Sequence, residues 1–173
     1  THLGIDCDRD RGYRGRSVLD DDKPLETGLH TVLPIILNCL SRLKSLGVSG
    51  SHVFRLLVPS CCLAGLEKLK CLSLAHLCLD DMFFQTLASL PLLKSLYFYD
   101  VHGLDYQLCF ADISPLTNLE TLKLIKRKSE DLLCSLAKMR MPRLKNLKVD
   151  AGILTEEEKT QLYQCLPCLR RID

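Results

Sequence analysis

One hydrophobic pattern recurs along the chain. Its clearest copy is Leu66-Glu67-Lys68-Leu69-Lys70-Cys71-Leu72-Ser73-Leu74. The same order of apolar and polar positions returns from Leu40 to Val48, from Leu90 to Phe98, from Leu116 to Leu124 and from Met141 to Val149. A shortened copy from Leu166 to Asp173 closes the sequence. The final apolar-x-apolar step of each copy alternates. It therefore predicts a short strand with its leucines on one face and the intervening residues on the other. Helix-like apolar stripes follow most of these strands and are expected to cover the same leucines. One such unit cannot bury its leucines alone, whereas stacked units bury a continuous core, each touching only its neighbours.

Counted from the residue that opens each strand (Leu46, Leu72, Leu96, Leu122, Leu147 and Ile172), the steps are 26, 24, 26, 25 and 25 residues. This lies within the roughly 20–29-residue period of leucine-rich repeats. The repeated leucine cores resemble that family over nearly the whole chain. The resemblance implies an α/β fold, a leucine-rich repeat solenoid: a right-handed horseshoe segment with a parallel sheet on its concave face and helices on its convex face. The asparagine that follows the strands in plant-type and receptor-type repeats is missing, and Ser51, Leu77, Val101, Arg127 and Gly152 stand there instead. With the period and the prolines at 91, 142 and 167, the chain is most similar to the intracellular F-box-associated and ribonuclease-inhibitor-like subclasses. No F-box helix pattern occurs in the 173 residues. Such a fold serves many unrelated partners, so the resemblance says much about architecture and little about function.

Taken in order, residues 1–173 read as a single repeat domain of about six repeats. Both ends are strand-like and lack a polar capping unit, so the chain is expected to be part of a longer protein. Residues 1–6 read as the strand of an earlier repeat. Residues 6–23 are dense in both charges and read as an inserted loop, either a solvated excursion or a binding loop. Helices are expected over residues 27–41, then after Ser51 with Phe54, Leu57 and Val58, ended by Pro59. The next should open at Asp80 or Asp81 and carry Met82, Phe83, Leu87 and Leu90. Others are expected near residues 106–113 and after Ser129. Thr155 with Glu158 forms a capping box for the last, with Leu162, Tyr163 and Leu166 inward.

Composition adds few constraints. The chain is 47% hydrophobic with a net charge of +2 and ten cysteines. Most of those cysteines (Cys39, Cys71, Cys78, Cys109, Cys134 and Cys165) occupy apolar helix or strand positions, where free cysteine behaves as a small hydrophobe. A disulfide scaffold is usually shorter and poorer in core, so a reduced, cytoplasmic or nuclear location is expected. No signal peptide and no membrane-spanning apolar run is visible.

Catalytic and metal chemistry find no constellation. The histidines, at 2, 30, 52, 76 and 102, are scattered, and none of the common nucleotide, hydrolase or metalloprotease motifs occurs. Asp6, Asp8 and Asp10 lack the Gly and Glu of a calcium loop. Cys165-x-x-Cys168 lacks the second pair a structural zinc wants, and Cys61-Cys62 reads as a helix end. No catalytic residue, cofactor or metal is expected, and the chain is not expected to be an enzyme.

The strand register instead predicts an outward face. Its small residues come first: Ser45, Gly47 and Ser49, then Cys71, Ser73 and Ala75. Tyr97, Tyr99, Lys123, Ile125, Lys148 and Asp150 follow, and these six are the candidate partner-binding residues. Paired tyrosines beside an apolar residue and lysines have the composition of an interface hot spot, although strand propensity also favours tyrosine there. Nine Lys or Arg lie from Lys123 to Lys148, opposed by Glu130 and Asp131 alone. That balance favours an acidic or phosphorylated protein partner. Nucleic acid is not expected, because the basic residues lack aromatic interleaving. The function expected is protein binding, and the resemblance extends it to the substrate-recognition domain of an F-box-type ubiquitin-ligase adaptor. The alternatives are a repeat regulator of an enzyme and a sensor domain of an innate-immune receptor.

Overall fold

The computed structural model describes residues 2–6, 40–50, 56–80, 82–103, 116–125, 141–150 and 154–173. Within them the chain is mixed α/β, built on a seven-stranded parallel sheet with few helices. The strands of that sheet are β1 (His2–Asp6), β2 (Ser45–Ser49), β4 (Cys71–Ala75), β6 (Ser95–Tyr99), β8 (Thr121–Ile125), β9 (Asn146–Val149) and β10 (Arg171–Ile172). They lie side by side in sequence order. A second, three-stranded parallel sheet holds β3 (Leu56–Val58), β5 (Leu77–Leu79) and β7 (His102–Gly103). A 3₁₀ turn (Ser60–Leu63), α1 (Phe83–Ala88) and α2 (Glu156–Cys165) complete the described elements.

The register carries the predicted repeat into three dimensions. Leu3, Leu46, Leu72, Leu96, Leu122, Leu147 and Ile172 stand directly opposite one another from strand to strand. Val48, Leu74, Phe98, Leu124 and Val149 form a second such row. Both rows face the core, and from Leu46 to Leu147 the first is entirely buried. The two leading apolar positions of each copy close a tight turn. The N–H of Leu43, Leu69, Leu93, Leu119, Leu144 and Leu169 donates to the carbonyl three residues earlier. Pro91, Pro142 and Pro167 sit second in their turns, where a fixed φ near −65° suits the geometry. Both turn-flanking residues join the core, Leu66 and Leu69 for example at 0% exposure.

After each turn, one carbonyl accepts two N–H groups from the following unit. Lys44 O accepts from Lys70 and Cys71, Lys70 O from Lys94 and Ser95, and Lys94 O from Glu120 and Thr121. Glu120 O accepts from Lys145 and Asn146, and Lys145 O from Arg170 and Arg171. This repeated bond holds the residues just before the strands in a single file along the leading edge of the sheet.

Several expectations are corrected. Leu57 and Val58 lie in a strand, β3, rather than a helix. A run of three apolar residues has no period that separates the two, and the residue before a proline avoids helical geometry. Pro59 then starts the 3₁₀ turn that contains both Cys61 and Cys62. Asp80 does not cap the following helix. Its Oδ2 instead accepts from the N–H of Ser60, one repeat earlier, at 2.7 Å, and Met82 precedes α1 with no side-chain cap. Met82 is exposed, and Leu90 is buried but lies beyond the end of α1. Tyr163 points out of α2 rather than in, and Cys165 at its end is exposed. The capping box is present: Glu158 N–H donates to Thr155 Oγ1, and Thr155 N–H donates to Glu158 Oε2. The expected helix over residues 27–41 does not reach Leu40 and Ser41, which lie in the turn before β2. Its remainder, residues 7–23 of the inserted loop, and the helices expected over residues 106–113 and after Ser129 lie outside the described residues.

Candidate functional site

Alternation along the strands turns residues 45, 47 and 49 and their counterparts away from the core, and the fold places most of the predicted face where expected. Tyr97 lies directly opposite Lys123, and Lys123 directly opposite Lys148, so the three form one row across β6, β8 and β9. Tyr99 lies opposite Ile125 in the adjacent row. In the earlier strands the same two rows hold Gly47 and Ser73, then Ser49 and Ala75. The face therefore rises from small side chains over β2 and β4 to large ones over β6 and β8. Asp150 follows the end of β9 and is half-buried.

The side chains of this face engage one another. Lys123 Nζ lies 4.7 Å from the centre of the Tyr97 ring, over its π-face. Such a contact holds a lysine near an aromatic surface by about 0.5–1 kcal/mol at an exposed site. Lys148 is exposed one strand further on. Like charges directly opposite on adjacent strands are destabilising, so the Lys123–Lys148 pair is retained at some cost to the sheet.

At the trailing end of the strands lies a feature the sequence reading did not single out. His76 and Asp100 follow β4 and β6, and both have left-handed backbone, φ 53° and 52°. His, Asp and Asn are the side chains that tolerate this region best after glycine. The two pair across the strands: His76 Nδ1 donates to Asp100 Oδ2 at 3.1 Å, since a carboxylate only accepts. The buried His76 ring also meets Tyr99 edge-on, 5.0 Å between centres at 79°. The imidazole thus braces the tyrosine ring edge-on. The equivalent place after β2 is Gly50, whose missing side chain is required: a Cβ there would lie 2.3 Å from the carbonyl oxygen of His76. A spacing signal for this pair exists, because 76 and 100 are separated by the same step as Leu72 and Leu96.

The leading edge carries charge. Glu120 is clamped on both sides, its Oε1 by Lys94 Nζ and its Oε2 by Lys145 Nζ, each at 2.7 Å. The hydrogen bonds from Lys145 and then Lys94 hold its carboxyl at about 2, well below the usual carboxylate range. Beside it, Asn118 Nδ2 donates to the Pro91 carbonyl at 3.2 Å, and Arg143 Nη1 donates to Asn118 Oδ1 at 3.0 Å.

Among the described residues, no group of three or more His, Cys, Asp or Glu side chains is placed to hold a metal ion. Among the described cysteines, Cys61, Cys62, Cys71, Cys165 and Cys168 are free thiols. Burial, helped by the neighbouring Cys61 and Asp80, pushes the Cys62 thiol up to about 12, which keeps it protonated and unreactive. No helix among the described residues is long and apolar enough to cross a membrane. No model of a known protein family matches the chain, and no curated protein matches it either.

Proposed function

We propose that the chain is a protein-interaction module of the leucine-rich repeat type, a right-handed α/β solenoid that docks a partner protein on the outward face of its large sheet. The observation that carries this reading is the alignment of Tyr97 with Lys123 and of Tyr99 with Ile125 on adjacent strands, outside the core. Tyrosine offers a large contact area at little ordering cost, and lysine adds selectivity for acidic groups. The contacts of two of these side chains, His76 edge-on against Tyr99 and the Tyr97 ring under Lys123, restrict the face before any partner arrives. Preorganisation of that kind lowers the cost of binding. The repeat period and the turn prolines extend the proposal to substrate recognition in an F-box-type ubiquitin-ligase adaptor. The free thiols support a reducing compartment, cytoplasmic or nuclear.

The test begins with partner capture by proximity labelling of the full-length protein, followed by binding to the purified partner. Tyr97→Ala or Tyr99→Ala should weaken binding by about 1–2 kcal/mol with little loss of fold. Lys123→Glu with Lys148→Glu should act mainly on the association rate, an effect that shrinks at high salt. Unchanged affinity in the variant carrying all four substitutions would place the interface elsewhere.

A further inference from the structure

The file of residues just before the strands reads Lys44, Lys70, Lys94, Glu120, Lys145 and Arg170. Five of the six are cations. Lys44, Lys70 and Lys94 precede β2, β4 and β6, three adjacent strands whose first residues are paired in register. Neighbouring strands lie about 4.8 Å apart, so three like charges fall within about 10 Å of sheet. Each is exposed, and Lys94 alone of the three has a carboxylate within ion-pair distance among the described residues.

The same file contains an example of what relieves such crowding. Where the series is interrupted, the Glu120 carboxylate gives one oxygen to the lysine on each side. A carboxylate seated between lysines of neighbouring units is therefore the geometry this edge already adopts. At Lys44 and Lys70 no chain carboxylate fills the equivalent place among the described residues. Glu67, the one acidic residue in the turn before Lys70, makes no ion pair there.

We infer that the Lys44–Lys70–Lys94 edge is a carboxylate-binding strip that takes an extended acidic segment of a protein partner, laid across the strands. Alternate side chains of an extended segment share a face about 7 Å apart, a spacing that flexible lysines on neighbouring strands can meet. A polypeptide suits the strip better than a nucleic acid. Among the described residues, the aromatic rings of the outward strand face are already engaged, Tyr97 beneath Lys123 and Tyr99 against His76, which disfavours them as platforms for stacking bases. The inference deepens the protein-interaction reading and rests on it for the natural ligand.

The probe is a fluorescein-labelled peptide of alternating glutamate and serine, followed by fluorescence anisotropy with the full chain. The controls are the same peptide with glutamine for glutamate and an oligothymidylate of matched length. Saturable binding of the glutamate peptide at low salt is expected. Lys44→Glu with Lys70→Glu should weaken it by at least about tenfold, and Lys44→Gln with Lys70→Gln by less, with unchanged thermal midpoints. Lys159→Gln, on α2 rather than in the file, should leave peptide binding nearly intact. Equal affinity for the glutamine peptide, indifference to both lysine pairs, or tighter binding of the oligothymidylate would each overturn the inference. A natural partner that needs Tyr97 and Tyr99 while the glutamate peptide fails to bind would reject the strip and leave the protein-interaction reading standing. A peptide that binds through Lys44 and Lys70 while the partner ignores both tyrosines would reject that reading and keep the strip.

Discussion

Replacing Leu96 with Ala should be among the most damaging single truncations of the sheet. Leu96 is 0% exposed and stands between Leu72 and Leu122, which are also 0% exposed. The substitution removes three carbons, a transfer loss of about 2.4 kcal/mol at roughly 0.8 kcal/mol each. A cavity term is added, and core Leu→Ala changes span about 2–5 kcal/mol according to how far the site can collapse. Here the backbone of β6 is bonded to a strand on each side. The hole cannot close by moving that strand without breaking a ladder, so the loss should reach about 3–4 kcal/mol. Ile172 offers the contrast. It occupies the same row but lies on an edge strand and is only half-buried, and its truncation should cost about 1 kcal/mol or less. Urea titrations followed by far-ultraviolet circular dichroism would measure both, with the midpoint falling and the slope unchanged. A loss below about 1 kcal/mol for Leu96→Ala, or an equal loss at Ile172, would refute the stacked-row account.

Two further outcomes follow from the titrating groups. The Glu120 carboxyl is lowered to about 2 in the folded chain, so its pairing stabilises the protein above the ordinary carboxylate range and loses that effect as pH falls towards 2. Glu120→Gln should therefore flatten the acid limb of a melting-temperature profile, and an unchanged acid limb at low salt would show the clamp to be energetically idle. In native protein at neutral pH, iodoacetamide should label the exposed Cys61, Cys165 and Cys168 well before the buried Cys62 and Cys78, read by peptide mass mapping. Labelling of Cys62 as fast as Cys61 would contradict its raised thiol.

The leucine rows, the strand positions and the outward face were legible because they depend on alternation and on a constant step, both visible in one dimension. Thr155 and Glu158 were legible for a similar reason, since a capping box is a local motif. What escaped was decided by neighbours one repeat away. Asp80 had the chemistry of a helix cap, but its carboxylate reaches Ser60 across the stack. Leu56–Val58 had no period, and its pairing with Leu77–Leu79 made it a strand. The His76–Asp100 pair and the file from Lys44 to Arg170 become meaningful only when residues about one step apart are aligned in columns. The outward positions of Tyr97, Tyr99, Lys123 and Ile125 were legible from alternation, while the contacts around them, the ring of Tyr97 beneath Lys123 and His76 beside Tyr99, needed coordinates.

Strand order has a consequence for how this chain can change length. Each strand of the large sheet pairs with the next one in sequence, and the same positions face inward every time. Excising residues 72–95 would join Cys71 to Leu96 and yield the strand Cys-Leu-Tyr-Phe-Tyr, with its leucine and phenylalanine still inward and its tyrosines still outward. Losing or doubling a whole unit by unequal recombination therefore preserves the face of every remaining side chain. Inserting one residue inside a strand reverses all those beyond it. A chain lengthened or shortened in whole steps would keep its core rows, and each step would move the small-to-large gradient of the outward face by one strand.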